Sequence, residues 1–238
     1  MTTLKLGLPS KGRLQQDAID WFARAGIAIA RTGSDREYAG EVTGLDGVEL
    51  VLLSASEIPR ELAAGRIHLG VTGEDLIREK LADWARGTPA LAPMGFGFAD
   101  LVIAVPDCWA DVATLRDLDD AAAQFRARHG HRLRIATKYH NLVRGFLAQN
   151  GVADCEIVDS QGATEGTIKN QTAEAIADIT SSGATLSANH LRVLDDGEIL
   201  KSQATLFMAR GASWTAPARA TLAALCDRLG LAPPDPQS

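Results

Sequence analysis

Long apolar runs are missing from this sequence of 238 residues, so no stretch of it reads as a membrane-spanning helix. A cationic excess is missing as well. With 24 Lys and Arg against 30 Asp and Glu, the formal charge is −6, which offers no field for nucleic acid or an anionic membrane. Any anionic substrate must then be held by local arginines and backbone amides. Cysteine is scarce: Cys108, Cys155 and Cys226 are odd in number and have neither disulfide nor zinc spacing. The five histidines show no metal-ligand spacing either, and His68, inside a strand, reads as a packed or surface residue. The expectation is a reduced, cytoplasmic protein whose cysteines are small core residues. The opening segment MTTLKLGLPSKGRL lacks the apolar core of a signal peptide and reads as a first strand. Repeats and low-complexity segments are absent apart from a Pro-rich tail at 232–238.

What is present is an alternation of strand and helix signals along the whole chain. Residues 4–8 read as a strand, and 14–25 as a helix with Leu14, Ala18, Ile19, Phe22 and Ala25 on one face. Strands at 48–53 and 67–71 bracket a helix capped by Ser56 and ended by Gly65, and Thr72-Gly73 leads into a helix over 74–84. Near Ala92-Pro93-Met94-Gly95 the pattern loosens, which marks a boundary. A second alternation follows: strands at 101–105, 133–137, 155–158 and 175–179, with helices at 114–128, 142–150 and 164–169. Residues 191–194 and 199–208 read as a hairpin about Asp195-Asp196-Gly197, and a last helix runs from a Thr215 cap to Gly230. The expected fold is α/β in two lobes with a central cleft, mainly parallel sheets covered by helices. The lobes are assigned to residues 1–94 and 95–189, with residues 190–238 returning to the first.

The chemistry concentrates in AIADITSSGATLSANHL, residues 175–191. A short apolar strand carries one acid, Asp178, where it runs out. Thr180, Ser181, Ser182, Gly183, Ala184 and Thr185 then supply four hydroxyls and a glycine before a helix opening within 186–191. Small residues let backbone N–H groups approach an anion, hydroxyls add donors, and a helix N-terminus adds partial positive charge. A plain capped turn has the same composition, and no Walker-type lysine follows the glycine. An acid at the entrance suits ribose hydroxyls or Mg²⁺ better than phosphate, so the sum is a sugar phosphate.

The longer pattern is more specific. The acid, the Ser-Gly-x-Thr-Leu loop and x-Ala-Asn-x-Leu resemble the phosphoribosyl-pyrophosphate loop of the ATP phosphoribosyltransferases, which open histidine biosynthesis. LGLPSKGRL is similar to that family's opening strand and Lys-Gly-Arg turn. ASEIPRELAAGRIHLGVTGEDLI and RIATKYHNLVRGFLAQNGV are similar to two further family segments, so four motifs stand in order over most of the chain.

The resemblance implies two lobes like periplasmic binding proteins and the joining of ATP to phosphoribosyl pyrophosphate with Mg²⁺. It assigns Lys11, Gly12 and Arg13, otherwise solvated charges on a turn, to polyphosphate. Arg36, by default a loop charge, is placed by it at the departing pyrophosphate, which makes Arg13 and Arg36 the catalytic candidates. Thr72 and Gly73 offer a hydroxyl and an unobstructed N–H, or simply cap a helix. Lys138 and Tyr139 follow a strand of the second lobe, where the ring packs on adenine or closes the core. Glu165, which is also a suitable N-terminal helix acid, pairs with Asp178 around the ribose and, through the substrate, the metal.

Three departures from the family pattern stand out. Gly166-Thr167-Ile168 replaces Val/Leu-Ala-Pro after Glu165, Ser54 stands where many members have arginine, and Ser182-Gly183 replaces Thr-Gly. The length resembles the family's short form, which implies a partner subunit related to histidyl-tRNA synthetase. A two-lobed solute-binding protein without chemistry is the alternative, and the four motifs disfavour it.

Overall fold

The computed structural model describes residues 3–31, 40–160 and 162–236. The chain divides into two compact units, Met1–Gly97 with Gln203–Ser238, and Phe98–Ser202.

The first unit opens with β1 (Leu4–Pro9), α1 (Arg13–Arg24), β2 (Ala28–Arg31), β3 (Gly40–Thr43) and β4 (Val48–Leu53). It continues through α2 (Ile58–Ala63), β5 (Leu69–Gly73), α3 (Glu74–Lys80), α4 (Trp84–Gly87) and β6 (Ala90–Pro93). β1 lies between β4 and β5, parallel to both; Leu4, Leu6 and Leu8 are buried on one face, and on the other Gly7 leaves the space that Ile67 fills. On α1 the expected face is the packed one: Ala18 and Phe22 are buried, with Leu14, Ile19 and Ala25 against the same core. The helix expected over 74–84 breaks at Leu81, which is extended, and resumes as the short α4.

The second unit runs β7 (Ala99–Pro106), α5 (Leu115–His129), β8 (Leu133–Thr137), α6 (His140–Gln149), β9 (Cys155–Asp159), α7 (Gly166–Lys169), β10 (Ala175–Thr180), α8 (Ala184–Ala188) and β11 (Leu191–Ser202). Its sheet order is β11-β7-β10-β8-β9. The chain then re-enters the first unit as β12 (Ala204–Met208) and α9 (Ala216–Leu229), giving that sheet the order β4-β1-β5-β12-β6.

Three expectations are corrected here. The return starts at Gln203 rather than at residue 190, because β11 pairs antiparallel with β7 as an edge of the second sheet. The hairpin does not form. Asp195 N–H donates to the Ala113 carbonyl at 2.9 Å and the Asp196 carboxylate accepts from Leu115 N–H at 2.7 Å, so the supposed turn is an irregularity in one long strand, tied to the start of α5. The sheets are mixed rather than mainly parallel. Glu74 N–H donates to the Gln203 carbonyl, so β12 enters where β5 leaves and must run against it; β7 runs against both β10 and β11.

Polar residues that looked unremarkable in sequence lock these units. His68 is buried: its Nδ1 accepts from Lys5 N–H at 3.0 Å, which leaves Nε2 to donate to the Ser213 carbonyl at 3.2 Å, while the ring meets Trp214 edge-on. Cys226 is buried and Cys155 partly so, and burial, with smaller pushes from Asp119 and Asp154, raises the Cys155 thiol to about 12, so it is inert at neutral pH. Cys108 departs from the expectation and is exposed.

In the second unit Glu174 accepts from the Arg134 backbone N–H at 2.9 Å and from its guanidinium at 2.5 and 3.1 Å. Burial opposes ionisation of Glu174, but the side-chain and backbone bonds from Arg134 outweigh it and hold the carboxyl below its ordinary value. A depressed folded-state value means that the stabilisation is present above the unfolded pKa of about 4.3 and fades as pH falls through the folded one. Glu174→Gln is expected to lower the thermal midpoint by several degrees near neutral pH and by progressively less below about pH 4, a trend that melting curves across that range check.

Candidate sugar-phosphate site

The second sheet leaves a gap at the carboxyl end of β10. The pairing of β10 with β8 ends at Ala177 opposite Thr137, while β10 continues to Thr180, so Asp178, Ile179 and Thr180 run past the end of their parallel neighbour. Such strand ends are where open α/β sheets bind ligands.

The loop that follows is held by its own hydroxyls. Thr180 Oγ1 accepts from Gly183 N–H at 2.9 Å and Ser182 Oγ from Ala184 N–H at 3.4 Å. Gly183 sits at φ 72°, a left-handed conformation that favours glycine, although a Cβ there would meet open space. Its requirement is therefore one of backbone shape. Gly183 also starts the five-residue helix α8 without a side-chain cap, and the first-turn N–H groups of Thr185 and Leu186 have no helical carbonyl to reach.

The opposite wall comes from the segment between β9 and β10. Ser160 N–H donates to the Thr137 carbonyl at 3.1 Å, and Ser160 Oγ to Thr164 Oγ1 at 2.9 Å, with all three residues buried. Thr167 Oγ1 bonds back to the Thr164 carbonyl at 2.6 Å. These bonds fix the turn that presents Glu165 just before α7, where Gly166-Thr167-Ile168 makes one helical turn in place of the family's Val/Leu-Ala-Pro. Sequence reasoning missed this set. Its signal, hydroxyl residues at 137, 160, 164 and 167, is scattered over three elements and is legible only after folding.

Between the walls lies a cavity of about 140 Å³ whose lining includes Glu165, Asp178, Thr180, Ser181, Ser182, Ala184 and Thr185. Two carboxylates and several hydroxyls therefore face one space. Asp178 Oδ1 accepts from Ile179 N–H at 2.8 Å, which orients the carboxylate. The donor set is all oxygen, the kind that hard divalent cations prefer, and among the described residues no cluster of three or more His, Cys, Asp or Glu forms a closed protein cage. A Mg²⁺ here fits as an ion shared with a bound polyphosphate.

The remaining expected residues are distributed differently. Lys138 is exposed and its Nζ donates to the Gly162 carbonyl at 2.6 Å, bracing the same wall. Tyr139 is buried at 6% exposure, so of its two readings the ring closes the core and has no face for adenine. In the first unit, Lys11 and Gly12 are exposed on the turn after β1 and Arg13 is exposed as the first residue of α1, with Gly12 at φ 82°. Thr72 is fully buried and its hydroxyl donates to the Ala55 carbonyl at 2.9 Å, which corrects the expectation that it offers that proton to a ligand. Gly73 leaves no room for a side chain, because a Cβ would stand 2.1 Å from Asp75 Oδ1. Ser54, in the place of an arginine, donates from both N–H and Oγ to Glu57 Oε2 at 3.0 and 2.7 Å and serves the turn into α2. Arg36 lies outside the described residues.

The family model described as HisG: ATP phosphoribosyltransferase matches residues 54–230. An ATP phosphoribosyltransferase of Cereibacter sphaeroides is 66% identical over 233 residues, 98% of each chain. One of Rhodopseudomonas palustris is 54% identical over 228 residues, covering 96% of this chain and 70% of that one. Among solved structures, the ATP phosphoribosyl transferase (HisG:HisZ) complex from Thermotoga maritima is similar with a TM-score of 0.72 at 22% identity, over 95% of this chain and 96% of that one. The periplasmic VFT2 domain of BvgS from Bordetella pertussis is similar with a TM-score of 0.53 at 12% identity, over 94% and 85%. At those identities the two structures speak for the fold, a two-lobed one like that of periplasmic binding proteins.

Proposed function

The chain belongs to the ATP phosphoribosyltransferase family, and on that premise we propose that the cavity at the end of β10 holds phosphoribosyl pyrophosphate while ATP attacks it. The enzyme joins N1 of the adenine of ATP to the anomeric carbon of phosphoribosyl pyrophosphate, giving N1-(5-phosphoribosyl)-ATP and pyrophosphate, the first step of histidine biosynthesis. The observation that carries the site assignment is the meeting of Glu165 and Asp178 with the loop hydroxyls in one cavity. Hydroxyls and free amides suit the 5-phosphate, while carboxylates would repel it and suit the ribose hydroxyls instead.

Thr180, Ser181, Ser182, Gly183, Ala184 and Thr185 hold the 5-phosphate, and Asp178 and Glu165 hold the ribose. Adenine N1 is a weak nucleophile, so the rate depends on aligning it with the anomeric carbon and on neutralising the leaving pyrophosphate. Lys11, Arg13 and Arg36 supply that positive charge, with Gly12 and Gly73 leaving backbone accessible. Mg²⁺, when bound through the substrate beside Asp178 and Glu165, adds charge neutralisation. Lys138 positions the wall that carries Glu165.

The likeness to a solved complex of two components supports a regulatory partner subunit, which the family resemblance relates to histidyl-tRNA synthetase. Among the described residues no helix is long and apolar enough to cross a membrane, in keeping with a cytoplasmic site of action.

The test is product formation by the purified chain, with and without the partner, following the absorbance of the N1-substituted adenine while ATP, phosphoribosyl pyrophosphate or Mg²⁺ is omitted in turn. The expected signal requires all three. Product formation without Mg²⁺ would remove the metal from this scheme.

A further inference from the structure

Two large apolar side chains stand exposed among the described residues, Phe98 at 60% and Ile179 at 43%, and both lie at the same end of the second sheet. β7 and β10 pair antiparallel with Leu101 opposite Ile179 and Asp100 opposite Thr180. Phe98 comes two residues before Asp100, so it stands alongside the turn that follows Thr180. Gly97, at φ 64°, bends the chain just ahead of it. Residues paired across the ladder share a face, so Phe98 follows Asp100 and Thr180 onto the face of Asp178, while Ile179 and Leu101 point to the other.

The cavity is lined by carboxylates and hydroxyls together with Ile176, Ile179, Ala184 and Leu186, and among the described residues no aromatic ring joins that lining for a purine to stack on. The reaction nevertheless brings adenine N1 to within about 3–3.5 Å of the anomeric carbon, so the base must lie against the ribose site. Tyr139, the aromatic residue that sequence alone offered for this task, is in the core. Phe98 is an exposed aromatic ring at the sheet end from which this loop leaves, and an aromatic face is what a nucleobase stacks on.

We propose that Phe98, on the sheet face that carries Asp178, is the platform on which the adenine of ATP stacks, an inference that rests on the assignment of the β10 cavity to phosphoribosyl pyrophosphate. Phe98 then determines affinity for the nucleobase substrate and leaves the sugar phosphate untouched.

The experiment compares steady-state kinetics of the full chain, with its partner where activity requires it, for wild type, Phe98→Ala and Phe98→Trp. Phe98→Ala is expected to raise KM for ATP about tenfold and to change KM for phosphoribosyl pyrophosphate by less than about twofold, and Phe98→Trp to restore most of the loss. An exposed side chain is removed, so the melting temperature should hold. Unchanged KM for ATP, or an equal rise for both substrates, overturns the proposal. A shift in sedimentation with KM for ATP unchanged also overturns it and assigns the patch to a protein interface. Direct calorimetric titration of Asp178→Asn with phosphoribosyl pyrophosphate separates the two levels. If that variant binds as wild type does, the cavity assignment fails and this proposal with it; if binding falls while Phe98→Ala behaves as wild type, the stacking proposal alone fails.

Discussion

Asp178→Asn is expected to lower kcat/KM for phosphoribosyl pyrophosphate about a hundredfold, the size of losing one or two charge-assisted hydrogen bonds to ribose hydroxyls. The substitution is isosteric. An asparagine Oδ1 can still accept from Ile179 N–H, the bond that orients the native carboxylate at 2.8 Å, so the strand end and the loop should keep their shape. What goes is the charge. With Glu165 left as the single carboxylate of the cavity, more Mg²⁺ should be needed for half-maximal activity. Activation curves against Mg²⁺ at saturating ATP measure this, and a variant with wild-type kcat/KM and an unmoved Mg²⁺ curve would exclude Asp178 from the ribose and metal site.

Arg36→Ala should act on the other half of the reaction. Pyrophosphate gains charge as its bond to the anomeric carbon breaks, so a guanidinium beside it stabilises the transition state more than either bound substrate. Removal of one such group is expected to lower kcat about a hundred- to a thousandfold with small changes in KM. Arg36→Lys should recover only part, since an ammonium cannot reproduce the planar, bidentate fork. Steady-state kinetics of the two variants decide the point. Weaker binding of both substrates at unchanged turnover would assign Arg36 to affinity alone.

The two residues differ in how their roles are supported. Asp178 stands in a cavity with a second carboxylate, a hydroxyl-bonded loop and a left-handed glycine, so geometry and family resemblance support the same role. Arg36 lies outside the described residues, and its role rests on the resemblance.

Much of this protein could be read from its residues in order. The alternation of strands and helices follows from local periodicity, and the run from Asp178 to Thr185 reads as a candidate phosphate loop because its small residues, hydroxyls and glycine are contiguous. Residues 4–8 likewise read as a first strand, although not as the strand that lies between β4 and β5. Tertiary structure decided what depends on partners distant in sequence. Whether Asp195-Asp196-Gly197 turns a hairpin or kinks a strand depended on Ala113 and Leu115, some 80 residues away. That Tyr139 is buried while Phe98 is exposed was decided by packing, which sums over the whole unit. The hydroxyl of Thr72 was committed to Ala55 across an adjacent element. Contiguous chemistry is legible because neighbours in sequence stay neighbours in space, whereas burial and hydrogen-bond pairing are set by contacts that exist only once the chain has folded.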